Sequence, residues 1–198
     1  NNELNKNIII FFFNPRYLPK IDNPYLKKPK DPLFKNKTKI NFSKLQSKSY
    51  ELLYEVLKKR PEVKLTIKSK DGFPSNTKIF NKFKNRVNFV HGGSGHELLN
   101  NNGIVLAFNG STIVFEALAA GKIVFSPFQN LKNGEIFNFK KCTICSNSKS
   151  FLIKKLINCV DNKYIQGPKN KKDIDKLLNL HLNNIDGKAG KRLIKELN

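Results

Sequence analysis

Five short apolar runs recur along the chain, and their spacing constrains its fold more than any other feature. They are IIIFFF at 8–13, VKLTIK at 63–68, VNFV at 87–90, GIVLAF at 103–108 and KIVFSPF at 122–128. Each has the length and the β-branched or aromatic content of a strand. IIIFFF, apolar at every position, suits a strand covered on both faces, as in a parallel sheet. Helical spacing fills the gaps between the runs. QSKSYELLYEVLKKR at 46–60 places apolar side chains at 50, 53, 54 and 57 and stops before Pro61. Residues 76–85 carry Ile79, Phe80 and Phe83 and read as a second amphipathic helix. GGSGHELLNN at 92–101 reads as a glycine turn and a short helix, and 111–120 as a further helix. Strands alternating with helices from residue 8 to about 126 predict an α/β fold: a Rossmann-like, doubly wound parallel sheet. Such sheets bind ligands at the carboxyl ends of their strands.

The rest of the chain adds less. Residues 14–45 are rich in Pro and Lys and predict a long basic loop. FKKCTICSNS reads as a strand and turn. Residues 149–160 and 171–183 are helical by periodicity, and 187–197 form a short basic helix. The expectation is a single domain over 1–198, with the basic loop at 14–45 and a helical C-terminal segment at 149–198.

Charge narrows the partners. With 37 Lys and Arg against 15 Asp and Glu, the formal charge is +22. That favours anionic partners: nucleotide phosphates, nucleic acid or an anionic membrane surface. No helix-turn-helix signature, zinc-finger spacing or aromatic RNP pattern points to specific nucleic-acid binding. Cys142, Cys145 and Cys159 are too few and odd in number for a disulfide framework, which suits a reducing, cytoplasmic setting. Cys142-Thr-Ile-Cys145 lacks the second pair a zinc site needs, and His91, His96 and His181 are scattered. No stretch reaches the roughly 18 apolar residues of a membrane span.

The chemistry concentrates in FNGSTIVFEALAAGK at 108–122. The strand GIVLAF ends at Asn109, and a helix starts at Ser111 or Thr112. A strand-to-helix turn in a parallel sheet aims the helix N-terminus at the ligand crevice. Free amides and the helix dipole there form an anion site. Gly110 lets a phosphate approach the backbone, and the Ser111 and Thr112 hydroxyls add donors. Glu116 lies four residues after Thr112, on the same helical face and about 5.4 Å deeper. A carboxylate at that step can accept both hydroxyls of a ribose whose diphosphate rests on the turn. Its neighbours are so apolar that burial is expected, and an unpaired buried carboxylate is costly.

Asn-Gly-Ser-Thr-x-x-x-Glu-Ala-Leu-Ala-x-Gly-Lys, followed by an apolar strand and Pro127, resembles the donor half of GT-B glycosyltransferases. The nearest flavour is that of enzymes building capsule, lipopolysaccharide and other surface carbohydrate. Ile123 stands where that family usually has Pro. VKLTIKSK at 63–70 resembles the family's strand ending in a Lys beside the cleft, and DGKAGKRLIKEL at 186–197 its closing segment. The resemblance runs in order over 46–198 and is specific at 108–122. It implies a nucleotide-sugar donor with its diphosphate on the amides of Ser111 and Thr112 and its ribose on Glu116. Lys68, Lys70 and Arg16 are the candidate phosphate cations. His91, Gly93 and Ser94, within HGGSGH, would face the same cleft, with His91 or His96 as a donor to phosphate or leaving group. It further implies chemistry without a bound metal or other cofactor. A glycan or lipid-linked acceptor would be held by a second domain upstream, so that this chain is one GT-B half.

Two other readings stay open at this stage. The same fold serves nucleotide-sugar 2-epimerases and polyol-phosphate transferases, although few of the 15 acidic residues fall at predicted strand ends. A non-catalytic basic module would bind nucleic acid or anionic lipid with steep salt dependence and no nucleotide preference.

Overall fold

The computed structural model of the chain describes residues 6–12, 42–69, 76–107, 111–128, 142–162 and 171–182, together with 188 and 195. Six strands form one sheet: β1 (Ile8–Phe12), β2 (Leu65–Ser69), β3 (Val87–His91), β4 (Ile104–Leu106), β5 (Ile123–Pro127) and β6 (Ile144–Ser146). Their order is β3-β2-β1-β4-β5-β6, and every pairing is parallel. The chain thus builds outward from β1 to one edge, then crosses back to β4 and builds outward to the other. The predicted doubly wound sheet is what forms, with its reversal point between β1 and β4.

The helices are α1 (Phe42–Lys59), α2 (Gly95–Asn100), α3 (Ile113–Ala119), α4 (Lys149–Val160) and α5 (Lys171–Leu182), with a 3-10 helix at Thr77–Arg86. They cover both faces. Alternation along β1 divides its side chains. Ile8 and Ile10 join a core with α1, Phe80 of the 3-10 helix, and Leu152, Leu156 and Cys159 of α4. Ile9 joins the opposite core with Leu99 of α2, most of α3, and Leu177 and Leu178 of α5. A strand buried on both sides needs the uniformly apolar sequence seen at 8–12.

Two sequence expectations change. The helix expected at 46–60 starts at Phe42, because Leu45 is buried and extends the apolar stripe by a turn. The Ser49 hydroxyl donates to the Leu45 carbonyl at 2.8 Å, inside that added turn. The helix expected at 76–85 is a 3-10 helix, broken at Phe83 (φ −120°, ψ 26°). Asn and Thr are weak α-formers, and 3-10 winding aligns residues three apart. Phe80 and Phe83 thereby meet Tyr50 and Tyr54 of α1, with ring centroids 5.2 and 5.3 Å apart.

Side chains lock the layers. The Arg60 guanidinium, after α1, donates to both carboxylate oxygens of Asp161, after α4, each at 2.7 Å. Arg86 donates to the carbonyls of Leu57, Arg60, Pro61 and Val63, closing the end of α1 onto the start of β3. No helix among the described residues is long and apolar enough to cross a membrane. Most of the expected loop at 14–45 and of the basic helix at 187–197 lies outside the described residues.

Candidate functional site

The carboxyl ends of β1, β2, β3 and β4 carry most of the predicted site. Arg16, Lys70, Asn109 and Gly110 lie outside the described residues. The others gather from two strand-to-helix segments, 91–96 after β3 and 111–116 after β4.

The first segment is shaped by glycine. Gly92 and Gly93 both have left-handed backbones, φ 63° and 68°, which a residue with a Cβ rarely adopts. Space above them is open, so an added Cβ would meet nothing within 4 Å. The Ser94 side chain then caps α2 by accepting from the His96 amide at 3.1 Å. His91 is exposed and ends β3, paired in register with Ser69.

Lys68 is placed differently from a free phosphate ligand. It is buried near the end of β2, and its ammonium donates to the carbonyls of Ser69 (3.2 Å) and Gly92. A lysine in this position fastens the turn after β3 to the end of β2, in the same sheet edge as the predicted site.

The second segment begins at Ser111. Thr112 occupies the cap position of α3 with helical angles and no side-chain capping bond. The Val114 and Phe115 amides of its first turn donate back to the Ser111 and Thr112 carbonyls, at 3.1 and 3.0 Å. Thr112, Glu116, Ala119 and Ala120 form a stripe open to solvent at four-residue and shorter steps, while Ile113, Val114, Phe115, Ala117 and Leu118 are buried. This stripe corrects the expected burial of Glu116: its side chain is 30% exposed and has a partner. His96 Nδ1 lies 3.3 Å from Glu116 Oε2. The carboxylate in the first turn of α3 also complements the helix dipole.

Gly95 brings the two segments together. An added Cβ there would lie 3.0 Å from Ile113 Cδ1 and 3.2 Å from the Phe11 ring. The start of α2 therefore rests directly on the start of α3 and the end of β1. Sequence reasoning named His96 and Glu116 separately and missed their contact. The available signal was the short, glycine-rich passage from β3 into α2, which keeps α2 close to the sheet end where α3 also starts.

An Asp-x-Asp triplet does occur, at Asp173-Ile174-Asp175. It lies on α5, where residues two apart do not face each other. Among the described residues no group of three or more His, Cys, Asp or Glu could hold a metal ion. Cys142 and Cys159 are buried, Cys145 is half-buried, and none of the three forms a disulfide.

No protein-family model matches the sequence, and no curated protein matches it. Solved structures do match in shape. TarM superposes with a TM-score of 0.54 at 14% identity, over 98% of this chain and 34% of its own. The spinosyn rhamnosyltransferase SpnG, bound to spinosyn aglycone, gives 0.49 at 12%, over 87% and 40%. A candidate UDP-N-acetylglucosamine 2-epimerase from Listeria monocytogenes gives 0.48 at 15%, over 86% and 40%. The chain has a Rossmann-like α/β fold, a single doubly wound parallel sheet. At these identities the likeness is one of fold. The chain spans 34% of TarM and 40% of each of the other two. The paired segments at 91–96 and 111–116 stand at the strand ends where doubly wound sheets take their ligands.

Proposed function

We propose that this domain binds the donor of a glycosyltransferase, a nucleotide-sugar, at the carboxyl edge of its sheet. The observation that carries the reading is the convergence of His96 and Glu116 from two successive strand-to-helix segments. Glu116 Oε2 faces His96, and among the described residues Oε1 accepts no hydrogen bond. That leaves an acceptor for a ribose hydroxyl one turn below the amides of Ser111 and Thr112. The diphosphate rests on those amides and on Gly110, with Asn109, His91, Gly93 and Ser94 around it. Lys68 acts by holding the 91–94 turn, and Lys70 and Arg16 are the cations for the phosphates. The high positive charge raises the local concentration of such an anion.

In this reading the chain is the C-terminal, donor-binding half of an enzyme of surface-polysaccharide synthesis, of the capsule or lipopolysaccharide kind. A glycan or lipid-linked acceptor sits on the other half. The work is cytoplasmic, with the basic surface touching the inner membrane face, and needs no metal. No residue of this chain is assigned as the catalytic base.

Calorimetric titration of UDP, GDP, CDP and CMP into wild type and Glu116→Ala, at two salt concentrations, tests this. Saturable binding of one nucleotide, lost in the variant, supports the donor site. Equal, salt-sensitive binding of all four, unchanged in the variant, refutes it.

A further inference from the structure

A groove of about 410 Å³ opens at the other edge of the sheet, away from the crevice just described. In a parallel sheet all strands start at one edge, so the residues that precede them converge there. Asn7 precedes β1, Lys64 precedes β2, Arg86 precedes β3, and Asn101 and Asn102 precede β4; all line this groove. Lys84, Asn85 and Asn88 complete its polar wall.

We infer that this groove is a binding site for a small phosphorylated sugar, distinct from the nucleotide crevice. Three features argue for it. First, the lining has three cations and no carboxylate. Arg86 is committed to four backbone carbonyls. Lys64 and Lys84 are exposed and, among the described residues, have no carboxylate at ion-pair distance. Two uncommitted ammonium groups across one concavity suit a phosphate.

Second, five asparagines line the same wall, and three of them, Asn85, Asn88 and Asn101, are exposed. A carboxamide both donates and accepts, which is the chemistry that reads sugar hydroxyls. The lining has no aromatic ring on which a base could stack, so a nucleotide is the poorer fit. Third, the wall is preformed. The Asn7 carboxamide donates to the Asn101 carbonyl at 3.2 Å, and that of buried Asn102 to the Leu98 carbonyl at 2.6 Å. With Arg86 fixed as well, the ligand has to order the two lysine side chains and the exposed Asn85 and Asn88, on a wall otherwise in place. The volume lies within the range usual for small-molecule sites.

Calorimetry at 150 mM salt (roughly physiological ionic strength) tests this with glucose 1-phosphate, glucose and inorganic phosphate. The expected result is one saturable site for glucose 1-phosphate, weakened at least tenfold in Lys64→Ala/Lys84→Ala. The pair Lys172→Ala/Lys176→Ala on α5 removes the same charge and should leave binding intact. Added UDP should not compete, because it is drawn to the opposite edge. Failure of the nucleotide titration above would leave this result standing. Equal losses in both double variants would reduce the groove to general basic charge and overturn the proposal. Inorganic phosphate binding as tightly as glucose 1-phosphate would also overturn it, since the asparagines would then read nothing.

Discussion

His96 Nδ1 stands 3.3 Å from Glu116 Oε2, bringing the first turn of α2 beside the first turn of α3. The two residues are twenty apart in sequence, and neither element could fix the other's side chain alone. Their contact brings a second titratable side chain to the carboxylate that the proposed nucleotide site relies on.

The Glu116→Ala variant should lose at least tenfold in nucleotide affinity, about 1.4 kcal/mol, by removing a charged acceptor. His96→Ala should lose less, since it leaves the carboxylate in place but unanchored. Calorimetry on both variants ranks them. A larger loss for His96→Ala would move the main ligand contact from the carboxylate to the imidazole.

Gly95→Ala places a methyl 3.0 Å from Ile113 Cδ1 and 3.2 Å from the Phe11 ring. Where the Phe11 ring and the Ile113 side chain are held by the core and do not shift, overpacking of this kind costs about 1–3 kcal/mol. Thermal unfolding should show a fall of about 2–4 °C for each kcal/mol in a domain of this size. Nucleotide affinity should fall too, because α2 is pushed away from α3. An unchanged midpoint would mean the Phe11 ring moves aside freely.

Lys68→Met keeps the apolar stem and removes the ammonium from the Ser69 and Gly92 carbonyls. Ser69 is buried whereas Gly92 is exposed, so the loss falls mainly on the Ser69 carbonyl, and an unpaired buried acceptor costs about 1–3 kcal/mol. Amide hydrogen exchange should speed up at 91–96 and stay unchanged through α4. Uniform acceleration across the domain would instead make Lys68 a general stability residue.

Burial pushes the Cys159 thiol up to about 12, with Lys155 pulling weakly in the other direction. A thiol whose pKa rises on folding stabilises the fold fully below its unfolded pKa, about 8.5. That contribution is lost as pH rises from there through about 12. Iodoacetamide at pH 8 should label Cys145 first and Cys159 only after unfolding. Urea midpoints should fall between pH 9 and pH 11 in wild type, and fall less in Cys159→Ala. Equal declines in the two would assign the loss to other groups.

Much of the sheet was readable because burial on both faces leaves a plain mark. IIIFF, IVL and IVF can belong to little else, and β1, β4 and β5 fall inside the predicted runs. The 3-10 helix escaped because its winding is set by Tyr50 and Tyr54, some thirty residues earlier, and not by its own spacing. The stepping of Thr112 and Glu116 along α3 was legible, since it depends on helical period alone. The exposure of Glu116 was not, because Ala119 and Ala120 read as apolar yet face outward. The groove at the strand starts was invisible for another reason. Asn7, Lys64, Arg86 and Asn101 are scattered through the chain and meet by sheet order alone.

That order has a consequence for how the chain is made. β1 pairs with β2 on one side and β4 on the other, with Ile8 opposite both Leu65 and Ile104. On a ribosome adding roughly 5–20 residues per second, Ile8–Phe12 emerges several seconds before its first partner and longer before its second. Throughout that interval five apolar residues wait without a sheet. The central strand of the finished domain is therefore the one that waits longest for both its neighbours.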